Sequence, residues 1–182
     1  MKTWLKWIAV TATVATIALV APSTAQAAPY CGITWGSLDK RAGTLSADPL
    51  FDVRAGQHGC YDRLVMDFDG SAAGYTVRYV SSVPAQGSGI AILLRGGAFL
   101  EIALQAPAYD PNTGTPTYSP ANPKELVDVN GWRTFRQASF GGSYEGYTTI
   151  GLVLRARLPF RVFTLAGPGN GSRLVIDVAH QW

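Results

Sequence analysis

One strand-like pattern occurs twice in the sequence. Residues 63–67 read Arg-Leu-Val-Met-Asp, and residues 173–177 read Arg-Leu-Val-Ile-Asp. Such segments favour half-buried β-strands, because successive side chains of a strand point to opposite faces. We predict two core faces, formed by Leu64, Met66 and Phe68 and by Leu174, Ile176 and Val178. A chain with two such strands is constrained to bury at least one face of a sheet.

The second copy of the pattern belongs to a predicted C-terminal hairpin. Residues 161–165 form its first strand, the glycine-rich residues 166–172 form the turn, and residues 173–178 return. The first copy is predicted to turn at residues 70–74 into a further strand over residues 75–80. We therefore expect a second hairpin there.

The remaining strand signals are weaker. Residues 31–39 predict an edge strand or an anchored arm, and residues 90–94 are a short apolar run. Further strands are predicted over residues 50–55, 98–104, 132–136 and 147–158, with a turn at residues 141–143. The count of nine or ten strands, with essentially no helix, predicts an all-β sandwich of mostly antiparallel strands.

A long loop is predicted over residues 106–123, which contain five prolines. Proline has no backbone N–H to donate, so this segment cannot join the interior of a sheet. Loops of this length are usually functional or mobile. The sequence leaves two interpretations open. The segment is either a lid over a site or a loosely held surface loop.

The N-terminal residues 1–27 have the composition of a secretory signal peptide. Lys2 and Lys6 precede an apolar run over residues 7–21, and Ala25-Gln26-Ala27 is a typical cleavage site. The apolar run is too short for a membrane span. We expect cleavage to leave residues 28–182 as one secreted, monomeric domain without a membrane segment.

The charge of the predicted mature chain is close to neutral. Without Lys2 and Lys6, thirteen basic residues remain against twelve acidic ones, a net charge of +1. This balance gives no electrostatic reason to expect nucleic acid or an anionic membrane as a partner. Eleven of the basic residues are arginine, which suits bidentate contacts with carboxylates or phosphates, although a GC-rich genome produces the same bias.

The two cysteines, Cys31 and Cys60, are predicted to form a disulfide, as expected for an exported chain. A metal site is the less favoured alternative, because the two histidines, His58 and His180, lack ligand spacing relative to the cysteines. We therefore expect no metal and no cofactor.

Few residues point to catalysis. Asp67-Phe68-Asp69-Gly70 is similar to the phosphoryl-transfer loop of haloacid dehalogenases, but a strand follows it here, so we interpret it as a strand end with solvated acids. No Gly-x-Ser-x-Gly motif occurs. His58 and His180 are interpreted as surface or strand-end residues. Asp62 and Glu145 could act on a glycosidic bond only if the fold brought them together. We predict no catalytic residues.

A binding surface is the alternative to a catalytic site. Arg155 and Arg157 share one face of the strand predicted over residues 147–158. Four polar or aromatic residues lie near them in the sequence, namely Trp132, Arg133, Tyr144 and Tyr147. Together the six could bind sugar rings and carboxylates, or they could form an ordinary solvated face.

Several ordered motifs resemble the AMIN-like domain family. They are residues 61–68, 74–80, 144–146, 151–152, 159–163 and 173–178. That family occurs in exported proteins, and it is distantly similar to the AMIN domain of periplasmic amidases and secretins, a β-sandwich that targets proteins to peptidoglycan. The bulky Tyr30 before Cys31 departs from the lipidation site that is common in relatives. The resemblance implies no catalytic residues.

The residues and the resemblance together predict a secreted, non-catalytic module that binds cell-wall peptidoglycan or a wall-associated protein. Two alternatives remain open. One is a secreted hydrolase that uses carboxylates, and the other is a protein-binding or inhibitory module that uses residues 106–123.

Overall fold

The computed structural model describes residues 28–182, which form a sandwich of two antiparallel β-sheets. A short 3₁₀ turn, Tyr30–Gly32, precedes nine strands. The strands are β1 (Lys40–Ala42), β2 (Leu50–Gln57), β3 (Tyr61–Phe68), β4 (Gly74–Val80), β5 (Ala98–Gln105), β6 (Phe135–Tyr144), β7 (Tyr147–Leu154), β8 (Phe160–Ala166) and β9 (Ser172–Ala179). The predicted all-β sandwich is confirmed. The predicted signal peptide lies outside the described residues.

The strands form a five-stranded sheet in the order β1-β4-β5-β7-β6 and a four-stranded sheet in the order β2-β3-β9-β8. Both predicted core faces are confirmed, because their six residues are all fully buried. They pack against the inner face of the five-stranded sheet, which includes Leu100, Ile102, Ile150 and Leu152. Within residues 28–182 there is no helix of the length and hydrophobicity needed to cross a membrane.

The two copies of the repeated pattern pair directly with each other at the centre of the four-stranded sheet. The pairing of β3 with β9 is antiparallel, so Arg63 lies opposite Asp177 and Asp67 lies opposite Arg173. The charged ends of one copy thus meet the opposite charges of the other. Asp67 is buried and accepts hydrogen bonds from Arg54. The expectation that it is a solvated acid is therefore wrong.

The C-terminal hairpin is confirmed as β8 and β9, but the hairpin predicted from β3 and β4 is wrong. These two strands belong to different sheets, and the turn between them carries the chain across the sandwich. Two alternating strands separated by a glycine-rich turn can pair or cross the core, and the local pattern is the same in both cases.

Two predicted element boundaries are also wrong. Residues 141–143 lie within β6, where the pairing with β7 shifts register, and the turn follows at Glu145 and Gly146. Both turn residues have positive φ, as a two-residue hairpin turn requires. Strand β7 ends at Leu154 and not at residue 158, because the amide of Arg155 donates to Thr134 O and the chain leaves the sheet.

The buried carboxylate of Asp62 joins the two sheets. Its Oδ2 accepts hydrogen bonds from the amides of Thr134 (2.8 Å) and Phe135 (3.0 Å) at the start of β6. Its Oδ1 lies 3.0 Å from Nε2 of His180, directly after β9. His180 is a strand-end residue as expected, but it is buried, so a surface position is the wrong prediction.

The chain between residues 105 and 135 is tied down by hydrogen bonds. Thr117 Oγ1 donates to Leu50 O at 2.7 Å, and the amides of Thr117 and Tyr118 donate to Ala108 O. Tyr109 and Pro116 form an isolated β-bridge. The proline-rich residues 106–123 therefore contain a hairpin-like turn that packs beside β6.

Cys31 and Cys60 are bonded to each other, as predicted. The bond closes a loop over a sequence separation of 29 residues and holds the N-terminal arm against the start of β3. Restricting the unfolded chain in this way stabilises the native state by about 3.5 kcal/mol.

We expect replacement of both Cys31 and Cys60 by serine to lower the free energy of unfolding by about 3.5 kcal/mol in urea denaturation. Wild-type protein kept under reducing conditions is the control and should unfold at the same urea concentration as the double variant. A loss below about 1 kcal/mol would contradict the loop-closure explanation.

Replacing Asp62 with alanine should lower the free energy of unfolding by about 3 kcal/mol or more. Three buried donors then lose their acceptor, and each buried donor without a partner costs about 1–3 kcal/mol of stability. Asp69→Ala is the matched control, since Asp69 is exposed just beyond the same strand and should change stability by less than about 0.5 kcal/mol. Equal effects of the two substitutions would show that Asp62 does not join the sheets.

Candidate functional site

A row of four depressions follows strand β6 on the outside of the sandwich, and we call this row the β6 groove. Neighbouring depressions share lining residues, namely Arg95 and Glu125, then Leu93 and Lys124, then Pro123 and Phe140. The depression at the start of β6 has a volume of about 450 Å³, and the one at its end has a volume of about 350 Å³. The row therefore offers an elongated binding surface.

One wall of the groove is the segment of residues 90–95, which crosses the outer face of the five-stranded sheet. Ile92 and Leu94 lie over Gly151 of β7, where a Cβ atom would be 3.1 Å from either side chain. The amide of Arg95 donates to the side chain of Gln137 on β6 at 2.9 Å. The absence of a side chain at Gly151 therefore allows this wall to approach the sheet.

The other wall is the segment of residues 123–126, which lies along the free edge of β6. The amide of Leu126 donates to Ala138 O at 2.8 Å, and the amide of Phe140 donates to Pro123 O at 2.7 Å. Gln137 Nε2 donates to the backbone of the same segment. These bonds cap the sheet edge, so the floor of the groove consists of β6 side chains and not of unpaired backbone.

The depression at the start of β6, the charged end of the groove, combines both charges with an indole ring. It is lined by Arg95, Glu125, Asp128, Val129, Asn130, Gly131, Trp132 and Arg136. Arg95 is ion-paired with Glu125, and the hydrogen bond to Glu125 raises the pKa of the Arg95 guanidinium. The positive charges of the two arginines and the negative charges of the two carboxylates cancel at this end of the groove. The charged end therefore suits a ligand that is polar but has no net charge.

Trp132 is held in place by its neighbours. Its ring stacks on Phe135 with a centroid distance of 5.9 Å and an interplanar angle of 16°. Arg136 donates to Trp132 O at 2.7 Å and to Phe135 O at 2.8 Å. Asp128 accepts a hydrogen bond from the amide of Asn130 at 3.0 Å, which fixes the turn before the ring. The indole is thus fixed before a ligand binds.

The depression at the end of β6, the aromatic end, is less polar. The proline-rich loop lines it with Tyr109, Pro116, Tyr118 and Pro120, and β6 contributes Phe140 and Ser143. Tyr118 packs edge-to-face on Phe140 at 5.6 Å. Burial raises the pKa of Tyr118 to about 12, so its hydroxyl is protonated at neutral pH. Rings with hydroxyl groups suit the apolar faces and polar edges of sugars.

The structure separates the six predicted binding residues. Trp132 lines the charged end of the groove, and the carbonyl of Arg133 accepts a hydrogen bond from Arg136 beside it. Tyr144 and Tyr147 are exposed and lie opposite each other at the far end of β6. These four residues lie near the two ends of β6 and form no single cluster.

Arg155 and Arg157 are engaged elsewhere, and the prediction that they share a strand face is wrong because β7 ends before them. Arg155 donates to the backbone carbonyl of His180. Arg157 donates to Ser37 Oγ at 3.1 Å and to Ser37 O at 3.0 Å, with its guanidinium 4.9 Å from the ring centroid of Tyr79. Arg155 thus contacts the C-terminal segment, and Arg157 contacts the N-terminal arm.

Little in the sequence indicated the other groove residues. Arg95 lies 30 residues before Glu125 and 33 before Asp128, and all three lie in irregular segments, so no strand or helix period connects them. The proline-rich segment and Trp132 were the two signals that pointed to this region.

The described residues contain no cluster of three or more histidine, cysteine or acidic side chains that could hold a metal ion. Asp62 lies on β3, and Glu145 lies in the β6–β7 turn of the other sheet. A role as a catalytic pair would require both carboxylates to line one pocket. Asp62 and Glu145 instead belong to elements of different sheets.

Comparison with protein families finds that the family model of the AMIN-like domain matches residues 48–180. No curated protein matches the chain. No solved structure matches it either.

Valine at position 151 should displace the wall formed by residues 90–95, because its side chain would overlap Ile92 and Leu94. We expect a loss of about 1–3 kcal/mol in stability and faster hydrogen exchange at the amides of Ile92 and Arg95. Gly56→Val on β2 is the control, since the nearest atom to a Cβ there is 3.9 Å away. Unchanged exchange at both amides would show that Gly151 does not position the wall.

Proposed function

Because the chain belongs to the AMIN-like domain family, we propose that it is an exported, non-catalytic module that binds the glycan strand of peptidoglycan in the β6 groove. AMIN-like domains occur in exported proteins and are cell-wall-associated binding modules. We further propose that the chain is secreted after cleavage of residues 1–27 and acts as a monomer.

The observation that carries the proposal is the row of depressions along β6. Ten residues of extended strand span about 33 Å, which accommodates several sugar rings of a linear polymer. A compact ligand would occupy one depression, whereas a polymer could occupy several adjacent depressions and gain binding energy from each. The groove therefore fits a chain-like ligand better than a single small molecule.

The chemistry of the groove supports a glycan. Sugars present hydroxyl and amide groups that both donate and accept, and the charged end offers guanidinium donors, carboxylate acceptors and the amide of Asn130. The indole of Trp132 and the rings of Tyr109 and Tyr118 offer apolar surfaces on which sugar faces can stack.

The buried acids support a module that performs no reaction. Asp62, Asp67, Glu101 and Asp177 are buried, and each is bonded to an arginine or a histidine. Removing such a partner would leave an unpaired buried charge. These carboxylates are therefore committed to contacts within the fold.

The proposal is tested by retention on insoluble peptidoglycan. We expect the wild-type protein to be retained above an albumin control and Trp132→Ala to raise the dissociation constant about tenfold, a loss of about 1.4 kcal/mol. Asn130→Ala should weaken binding as well, because this exposed side chain lines the charged end. Trp182→Ala is the matched control, since this indole is 65% exposed at the C terminus and lies outside the groove.

Retention no better than that of albumin would refute glycan binding. Equal losses for Trp132→Ala and Trp182→Ala would instead refute the placement of the ligand in the β6 groove. Thermal melting of each variant separates a binding defect from unfolding.

A carboxylate-dependent hydrolase is the second candidate, and one observation favours it: Glu125 and Asp128 both line the charged end. A general acid must be free to give a proton to the substrate, however, and the Glu125 carboxylate is engaged in the ion pair with Arg95. Release of soluble reducing sugars from peptidoglycan by the wild-type protein, and its loss in Glu125→Gln, would establish hydrolysis and overturn the non-catalytic proposal.

A further inference from the structure

The outer face of the four-stranded sheet carries two clusters in which two arginines bind one aspartate. In the first, Asp177 is fully buried and accepts hydrogen bonds from Arg63 and Arg161. In the second, Asp67 is bound by Arg54 and lies 3.3 Å from Arg173 Nε. Both clusters arise because the repeated pattern pairs with itself across β3 and β9, while the edge strands β2 and β8 each add one arginine.

The cluster around Asp177 is rigid. Arg63 bonds it through two nitrogens, with Nε 2.6 Å from Oδ1 and Nη2 2.9 Å from Oδ2. Arg161 Nε donates to Oδ2 at 2.8 Å. Among the described residues, Arg63 donates through Nε and Nη2 and Arg161 donates through Nε, which leaves Nη1 of each guanidinium without an acceptor. The cluster therefore has a net charge of +1 and retains donors for a ligand.

Aromatic rings surround the same two guanidiniums. The guanidinium carbon of Arg161 is 4.6 Å from the ring centroid of Trp35, 4.9 Å from that of Phe163 and 5.7 Å from that of Tyr61. Arg63 lies 5.3 Å from Tyr61 and 5.5 Å from Phe163. We call these five residues the arginine–aromatic face.

The N-terminal arm completes this face. Trp35 follows the disulfide-bonded Cys31, and its ring packs edge-to-face on Tyr61 at 5.6 Å. Gly36 O accepts a hydrogen bond from the amide of Phe160 at 2.8 Å. A side chain from outside the sheet is therefore fixed over Arg161.

The cluster around Asp67 provides an internal comparison. In the described part of the chain no aromatic ring lies within cation–π distance of Arg54 or Arg173, and Asp52 lies beside Arg54 and offsets its charge. The two clusters share the same ion-pair arrangement and differ in aromatic surface and net charge.

We propose that the arginine–aromatic face binds an acidic polysaccharide, a chain of sugars that carry carboxylate groups. A ligand carboxylate can accept a charge-assisted hydrogen bond from the Nη1 group that Asp177 leaves free on Arg161. Trp35 and Phe163 offer ring surfaces on which the attached sugar can stack. Arg161 is 42% exposed, so a ligand can reach it.

This site is separate from the β6 groove, and it does not depend on the proposed binding of peptidoglycan there. The groove lies along an edge of the five-stranded sheet, whereas the arginine–aromatic face belongs to the other sheet. One surface has no net charge in its polar part, and the other is positive. The two surfaces therefore suit ligands of different charge.

Binding of four probes by the full mature chain tests the proposal. Polygalacturonate has sugar rings and carboxylates, its methyl ester has the rings without the charge, polyglutamate has the carboxylates without the rings, and poly(glycerol phosphate) replaces carboxylate by phosphate. We expect polygalacturonate to bind about tenfold more tightly than each of the other three, and its affinity to fall as salt is added.

Substitution at Arg161 locates the site. Arg161→Gln should weaken binding of polygalacturonate about tenfold. The substitution removes a charge-assisted hydrogen bond to the ligand and the guanidinium that packs on the aromatic rings. Arg54→Gln is the matched control, since Arg54 is also an exposed edge-strand arginine bound to a buried aspartate, and it should change affinity less than about twofold. Trp35→Ala is a second variant. The ring of Trp35 lies outside the sheet, and its removal should also weaken binding.

Three results would each overturn the proposal. They are the absence of polygalacturonate binding, binding of the methyl ester, of polyglutamate or of the phosphate polymer that is as tight, and equal losses for Arg161→Gln and Arg54→Gln. Retention of Arg161→Gln on peptidoglycan at the wild-type level would show that the groove is intact and that the two surfaces act independently.

Discussion

The pairing of β3 with β9 is the contact on which the rest of the structure depends. It joins segments more than 100 residues apart and places opposite charges across from each other at both ends of the pair. Neighbouring side chains of β3 then act on opposite sides of the sheet. Asp62 points inward and binds the start of β6 and His180, while Arg63 points outward and binds Asp177. One strand pair thus fixes both the contact between the sheets and the charged outer surface.

Both proposed binding surfaces combine side chains of the regular strands with segments outside them. Residues 90–95, 106–126 and 128–132 form the walls and ends of the β6 groove, and the disulfide-bonded arm brings Trp35 to the arginine–aromatic face. Irregular segments that lie on a rigid sandwich are common carriers of binding residues. Their hydrogen bonds to β6 and β8 hold these surfaces in position before any ligand arrives.

The sequence predicted those parts of the fold that strong local signals indicate. The core faces of β3 and β9, the C-terminal hairpin and the disulfide were all predicted correctly. Errors arose at the bounds of β6 and β7 and where a contact joins distant segments. Residues 70–74 cross between sheets where a hairpin was expected, Arg155 and Arg157 bind the C-terminal segment and the N-terminal arm, and His180 is buried beside Asp62. Among the predicted binding residues, Trp132 lines the groove. Arg95, Glu125 and Asp128 also line it, but they were not predicted because they form no recognisable motif in the sequence.

Layered antiparallel sheets could be predicted from the amino-acid order alone, because the side-chain period of a strand depends on the local order of apolar and polar residues. The strands that share a sheet, the charges that meet and the loops that form a groove became evident only in the folded chain. Those outcomes depend on contacts between residues far apart in the chain, and a local pattern is compatible with several such pairings. The repeated Arg-Leu-Val-x-Asp segment shows both cases, since its core face was evident from the sequence and its pairing with its own copy was not.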